Sequence, residues 1–272
     1  MSKNILVIVE GEKREKEFFQ QMFNVFDLDY NIVCFKTNIY TLYLRMKKYS
    51  FECDIRDVLK EQVKDADDIK LLSEKFLYTY LVFDCDAHHG EEKDKGKNIP
   101  VEKRVRANLE KLREMAEYFT NETDPSIGKL YVNYPMVESY RDCDSFFDDS
   151  YANRIVMIED LDIYKSIAGK RKLSSIHLSS YNKDSFISLC KMNIYKLSYI
   201  FDAGWKSLRY KEYLSFSQGD SILEKEKCLA LNDNYFSVLN TSLFLVVDYF
   251  GNKDSYYDVT FGGDSEAKNA IV

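Results

Sequence analysis

The first half of the chain alternates between short, continuous apolar runs and longer segments in which apolar residues recur at helical spacing. The continuous runs predict strands buried on both faces, at residues 4–9, 31–35, 76–84 and 129–135. The intervening periodic segments predict helices, at residues 10–26, 38–48, 52–64 and 101–119. This alternation predicts an α/β fold in which helices flank a parallel sheet.

The second half shows a different pattern, without a clear strand–helix alternation. Helical patterns occur at residues 145–156, 184–201, 219–230 and 235–250. We therefore predict a sheet-containing core over residues 1–140 and a mainly helical region over residues 141–272 that packs on it.

Composition narrows the possible classes of protein. The chain of 272 residues is 45% hydrophobic and contains 21 Tyr and 18 Phe, enough for a packed core. Its net charge of -7 argues against a nucleic-acid coat protein, although an enzyme with an acidic site and a local basic groove remains possible. Six scattered cysteines without a CxxC pair, and no apolar run near the roughly 20 residues of a membrane span, favour a cytoplasmic protein.

Acidic residues follow three of the four predicted strands. Glu10 follows the first strand, Asp84 and Asp86 end the third, and Glu138 comes shortly after the fourth. Ligands of parallel sheets bind beyond the carboxyl ends of the strands, so these carboxylates are expected to converge at one edge.

The two aspartates have the spacing of a cation site. In an extended segment Asp84 and Asp86 would point to the same side, roughly 7 Å apart. Such a pair can bracket Mg²⁺, which prefers carboxylate and water oxygens. The alternative is a turn at the end of a strand, where aspartate is common.

Glu10 is followed by Gly11, which permits a tight turn from strand to helix. An acid at this position could be catalytic. It could equally be a helix-start acid, favoured there by the helix dipole.

Glu15 precedes Phe18 and Phe19 by three and four residues, so we expect it on their buried helix face, one turn from Glu10. That placement suggests a role at the edge of the sheet. The alternative is a partly exposed Glu15 that pairs with Arg14 or Lys16.

Two of the three histidines, His88 and His89, follow the aspartates directly. Either could bind metal or transfer a proton, but neighbouring residues do not easily share one site, so we expect at most one, His88, to take part. Glu138 has two interpretations of equal weight, a site residue or an acid at a helix start.

Basic clusters at 103–106 and 165–172 are the candidates for phosphate contact, with solvated helix faces as the alternative. The charged segment 89–98 is either a solvated loop or a mobile lid beside the predicted cation site.

Three segments carry a resemblance to a known family: ILVIVEGEKREKEFF, YLVFDCDAHH and YVNYPMVESY. They resemble the TOPRIM-like fold of topoisomerases, DnaG-type primases and OLD-family nucleases, and within it the RloB-like proteins of bacterial antiphage defence. The resemblance covers roughly residues 4–140. It implies that Glu10 is a general acid/base and metal ligand, and that Asp84 and Asp86 are metal ligands. Glu15, His88 and Glu138 match additional polar positions.

The resemblance implies a Mg²⁺- or Mn²⁺-dependent endonuclease that cleaves RNA, for example tRNA, or DNA, as the toxic effector of an abortive-infection system. Its catalytic residues would be Glu10, Glu15, His88 and Glu138. The chain contains no G-x-x-x-x-G-K-[ST] motif, so an ATPase sensor would have to be a separate protein. A homodimer is also left open.

Two other functions fit parts of the pattern. One is a TOPRIM-like regulatory partner of an ATPase that has no catalytic activity of its own. The other is a glycosyl- or nucleotidyl-transferase whose aspartates hold a metal-bound nucleotide, but this leaves Glu10 and Glu15 unexplained.

Overall fold

The structure is a computed structural model that describes residues 5–90, 99–251 and 256–262. Its strands are β1 (Ile5–Val9), β2 (Tyr30–Cys34), β3 (Tyr78–Asp84), β4 (Thr120–Asn121), β5 (Gly128–Asn133), β6 (Ile155–Met157) and β7 (Tyr235–Ser237). Its α-helices are α1 (Arg14–Val25), α2 (Ile39–Lys48), α3 (Ile55–Lys60), α4 (Ala66–Leu71), α5 (Val101–Tyr118), α6 (Tyr164–Ala168), α7 (Lys183–Ile200), α8 (Tyr210–Phe216), α9 (Gly219–Asn232), α10 (Phe244–Gly251) and α11 (Tyr256–Thr260). Most of the segment considered as a lid, residues 91–98, lies outside the described ranges.

The central sheet has the strand order β2-β1-β3-β5-β4. Its first four strands are parallel, and β4 runs antiparallel at the edge. The predicted α/β fold with a parallel sheet is therefore confirmed. The two-residue β4 was not predicted, because so short a segment has no periodicity.

Helices flank the sheet, in keeping with the helical crossovers that usually connect parallel strands. Helix α1 packs against α7, while α2 and α9 both pack against α5. All five residues of β1 are buried, in agreement with its continuous apolar sequence. Among the helices that the structure describes, none is both long and apolar enough to cross a membrane.

The second half is largely helical, and the predicted helices at 184–201 and 219–230 correspond to α7 and α9. Two other predictions were partly wrong, because 145–156 and 235–250 also contain the strands β6 and β7. These pair antiparallel in a separate two-stranded sheet. Strands of three residues are too short to show alternation, and the apolar residues beside them extended the helical pattern.

The second half is bonded to the end of β5. The Asn133 side-chain oxygen accepts hydrogen bonds from the backbone N–H and the hydroxyl of Ser242, at 3.1 and 2.8 Å. Thr241 donates to the Val132 carbonyl at 2.8 Å. Buried apolar side chains from both halves form one continuous core. These bonds support the edge of the sheet at which the acidic residues lie; the boundary at residue 140 stays a prediction.

Candidate functional site

The site lies at the carboxyl ends of β1, β3 and β5. Val9 pairs with Val82 in the parallel register, so Glu10 lies beside the last residues of β3. The Asp84 backbone nitrogen is 3.5 Å from the Glu10 Oε2 atom. Strand pairing alone therefore brings together acids that are 74 residues apart in the sequence.

Asp84 is the most deeply enclosed of the three acids. Its Oδ1 atom accepts a 2.7 Å hydrogen bond from the backbone N–H of Val137, just beyond β5. Burial, together with the negative charges of Glu10 and Asp86, raises the pKa of Asp84 well above its usual range. The site thus contains a carboxylate whose ionisation requires a compensating positive charge.

Asp86 does not continue the strand, so the expected extended pair of aspartates was wrong. Strand β3 ends at Asp84, and Asp86 has a φ of 36° in the left-handed region, which aspartate tolerates better than most residues. The Pro135 carbonyl accepts the N–H groups of both Cys85 and Asp86, at 3.0 and 3.3 Å, and these bonds turn the chain. The Tyr40 hydroxyl donates to the Cys85 carbonyl from the α2 side.

Burial and the neighbouring carboxylates both disfavour ionisation of Glu10. Burial, and then the charge of Asp86, raise the pKa of Glu10 to about 8. A positive charge beside Glu10 would offset both effects.

The Glu15 carboxylate folds back over Gly11. A Cβ atom at position 11 would overlap this carboxylate, which is the end of a flexible side chain and would have to move aside. Glycine at position 11 therefore leaves room for the Glu15 carboxylate, a role that differs from the tight turn that the sequence suggested. Phe18 and Phe19 are fully buried while Glu15 is partly exposed, and partial burial raises the pKa of Glu15. Glu15 therefore lies at the mouth of the site.

Glu138 lies in a short 3-10 helix (Val137–Arg141) and is buried. Its Oε1 atom is 2.6 Å from the Arg14 guanidinium and 3.8 Å from the Lys165 amine. Lys165 belongs to the basic cluster 165–172, whose Arg171 instead pairs with Asp142 at 2.9 Å. The basic cluster 165–172 thus contributes one positively charged side chain, Lys165, to the site.

The cluster 103–106 also reaches this region. The Arg104 guanidinium lies close enough to Gly90 that a Cβ atom at position 90 would be 3.4 Å from it. Its positive charge also acts on His88.

Both histidines lie at the site, and the expectation that at most one of them takes part in its chemistry stays a prediction. Their rings stack with centroids 4.6 Å apart, and His89 Nδ1 is 3.3 Å from Asp86 Oδ2. The His88 Nε2 atom is 3.1 Å from Asp162 Oδ1. Burial lowers the pKa of His88, whereas the hydrogen bond to Asp86 raises the pKa of His89.

The sequence did not predict three residues that contribute to the site: Arg14, Asn108 and Asp162. The Asn108 amide donates to the carbonyls of Ala87 and His89, at 2.9 Å each, and so fixes the loop after β3. An asparagine among the apolar positions of α5 could have indicated a buried side chain that bonds to a neighbouring loop. Asp162 is distant in sequence and gave no signal.

This edge carries residue types that can bind a divalent cation, and among the described residues the ligand atoms of Asp86, His88 and His89 lie within 4.8 Å of one another. Glu10, Asp84 and Asp86 supply carboxylate oxygens, the ligands that Mg²⁺ and Mn²⁺ prefer. Asp86 Oδ1 is buried and has no hydrogen-bond partner among the described residues. A buried acceptor of this kind is costly unless a ligand satisfies it.

No protein-family model, no curated protein and no solved structure matches the chain.

Proposed function

We propose that the chain is a Mg²⁺- or Mn²⁺-dependent phosphodiesterase that cleaves RNA or DNA. The observation that carries the proposal is the gathering of Glu10, Asp84 and Asp86 beyond the ends of β1 and β3, where burial and the neighbouring negative charges raise the pKa of Glu10 and of Asp84. Folding gains nothing from buried carboxylates that repel one another, so the arrangement is explained by a bound cation.

The cations at the rim favour a phosphate-containing substrate. Arg14 and Lys165 are more than half exposed, yet both face Glu138 at the edge of the acidic group. A phosphodiester beside the carboxylates would contact these two side chains, since arginine and lysine are the usual phosphate-binding residues. Positive charge beside a cluster of acids is the arrangement that an anionic substrate of a metal enzyme requires.

The reaction assigned to this site is hydrolysis. A bound divalent cation supplies a Lewis acid for the phosphoryl oxygens and lowers the pKa of water. Glu10 or Glu15 would accept the proton of the attacking water as the bond to the leaving oxygen breaks, and burial raises the pKa of both carboxyls. His88 would donate a proton to the leaving oxygen, although burial lowers the pKa of His88 and so disfavours the protonated imidazole.

The biological setting that we propose rests on the motif resemblance. It is an abortive-infection system in which this chain cuts host nucleic acid, tRNA being one substrate, after a separate ATPase senses the phage. The site residues support a phosphodiester substrate, but they do not distinguish RNA from DNA. These residues are Arg14, Lys165 and the acids.

The test is cleavage of tRNA, single-stranded RNA and plasmid DNA by the purified chain, with Mg²⁺, Mn²⁺ or EDTA. Glu10→Ala and Asp84→Ala are expected to abolish cleavage, as is EDTA. Glu226→Gln is the matched control, because it also changes a buried acid, which lies on α9 and accepts a hydrogen bond from the Ser237 N–H. Cleavage that persists in EDTA or in both alanine variants would overturn the proposal.

A further inference from the structure

Asp86, His88 and His89 form a second group of donors beside the carboxylates. One ligand atom from each residue lies within 4.8 Å of the others. The left-handed backbone of Asp86 and the Asn108 hydrogen bonds hold the loop in the conformation that brings them together. The cluster is therefore built by the loop after β3 and supported by α5.

Two donor atoms in this cluster are buried and unused. Asp86 is 8% exposed and His88 is 9% exposed. Within the described part of the chain, neither Asp86 Oδ1 nor His88 Nδ1 has a hydrogen-bond partner. Leaving a buried polar atom unsatisfied costs about 1–3 kcal/mol, so two such atoms on adjacent side chains point to a ligand.

The position of His88 suits it to bind a metal ion. Its Nε2 atom lies 3.1 Å from the Asp162 carboxylate, which favours the tautomer that carries the ring proton on Nε2. The lone pair is then on Nδ1, the buried atom that has no partner. Metal-binding histidines typically donate their second ring N–H to a carboxylate in this way.

We propose that Asp86, His88 and His89 form a nitrogen-and-oxygen site that selects a transition-metal ion such as Mn²⁺ over Mg²⁺. Imidazole nitrogen favours first-row transition metals, whereas Mg²⁺ binds almost entirely through oxygen. Asp162 is a positioning residue that orients His88. This inference names the class of cation that the proposed function requires. It rests on the proposed function, because Asp86 belongs to both groups of residues.

A purely structural role makes different predictions. If the His89–Asp86 ion pair and the stacked imidazoles only hold the loop together, removing an imidazole has no reason to change the ratio of Mn²⁺ to Mg²⁺ affinity. This ratio, measured without nucleic acid in wild type and in the histidine variants, separates the two explanations.

The experiment measures Mn²⁺ binding to the full chain by electron paramagnetic resonance, with Mg²⁺ as competitor. Wild type is expected to bind Mn²⁺ at least about 10-fold more tightly than Mg²⁺ and to show nitrogen hyperfine coupling in pulsed spectra. His88→Ala and His89→Ala are expected to weaken Mn²⁺ binding at least about 10-fold and to leave Mg²⁺ binding within about 3-fold. Asp162→Asn is expected to weaken Mn²⁺ binding about 10-fold, because it removes a positioning carboxylate.

His177 provides the matched control, because it is the remaining histidine and lies exposed against Ser179, 2.7 Å from its hydroxyl. His177→Ala is expected to leave the spectra and both affinities unchanged. If His88→Ala does not fold, His88→Gln is used in its place. Equal affinity for the two ions, or nitrogen coupling that survives loss of both His88 and His89, would overturn the inference. The binding measurement contains no nucleic acid, so a chain that does not cleave nucleic acid can still show selectivity for Mn²⁺. A chain that does not select Mn²⁺ can still hydrolyse phosphodiesters, so the two proposals fail separately.

Discussion

Arg14 and Glu138 are 124 residues apart in the sequence, yet Arg14 Nη1 lies 2.6 Å from Glu138 Oε1. This ion pair joins the first turn of α1 to the segment that follows β5. It crosses the same sheet edge at which Glu10 and Asp84 end their strands. The Glu138 carboxylate is nearly inaccessible while Arg14 is half exposed, so the arginine is the group that a substrate phosphate can reach.

Arg14→Ala is expected to lower the free energy of unfolding by about 1–3 kcal/mol, because it leaves a buried carboxylate with only a distant lysine. The double variant Arg14→Ala/Glu138→Gln is expected to recover most of this loss, since it removes the unpaired charge. Urea unfolding in EDTA measures both. Arg113→Ala, which breaks an exposed pair with Glu117, is the control, with a loss below about 1 kcal/mol. Similar losses in Arg14→Ala and Arg113→Ala would contradict the role given to this pair.

Gly11→Ala is expected to preserve the fold and to displace the Glu15 carboxylate, whose atoms occupy the space of the new methyl group. The rate of cleavage is expected to fall about 100-fold, which is the loss expected when a catalytic group is displaced. The remaining rate is expected to match that of Glu15→Gln. Circular dichroism and initial rates of cleavage measure the two effects. Normal activity in Gly11→Ala would remove Glu15 from the site.

Glu10→Gln is expected to make the metal-free chain about 1–3 kcal/mol more stable at pH 8, while abolishing cleavage. Burial and Asp86 raise the pKa of Glu10 to about 8, so wild type loses stability from this group as the pH rises from its ordinary value of 4.5 towards 8. Glutamine carries no charge and avoids that loss. Thermal unfolding in EDTA measures it, and a less stable Glu10→Gln variant would show that Glu10 has a structural role.

Glu226, a buried acid on α9, gives a second expected dependence of stability on pH. Its Oε2 atom accepts a 2.9 Å bond from the Ser237 N–H, and burial raises its pKa to about 8. A raised pKa means that the stabilising contribution is complete below 4.5 and is lost as the pH rises towards 8. From pH 5 to pH 7, wild type is therefore expected to lose about 2 kcal/mol relative to Glu226→Gln.

Urea unfolding at both pH values tests this expectation. Glu74→Gln, at an exposed position, is the control and is expected to track wild type at both. A constant difference between wild type and Glu226→Gln would show that Glu226 titrates in the folded chain as it does in the unfolded chain.

Much of the fold was readable from the sequence, because continuous apolar runs such as Ile5–Val9 have few alternatives to a buried strand. The parallel order then placed Glu10 beside Asp84 without further information. Strand β6 was not readable, since its three residues form a strand only by pairing with β7, about 80 positions later.

The detail of the site was less predictable than its location. The left-handed backbone at Asp86 depends on Pro135, and the orientation of His88 depends on Asp162; both partners are remote in sequence. Local spacing predicted an extended pair of aspartates, and tertiary hydrogen bonds replace it with a turned loop. The two imidazoles stack on this loop, and the expectation of a single functional histidine stays a prediction.

The central claim is that the carboxylates at this sheet edge hold the cation on which phosphodiester cleavage depends. Anomalous scattering from Mn²⁺ in crystals of the full chain tests it most directly, with Asp84→Asn crystals treated identically. The claim predicts an anomalous peak in contact with Asp84 and Asp86 in wild type, lost or greatly weakened in Asp84→Asn. Mn²⁺ bound only elsewhere in wild type, or a peak of the same height at this edge in the variant, would contradict it.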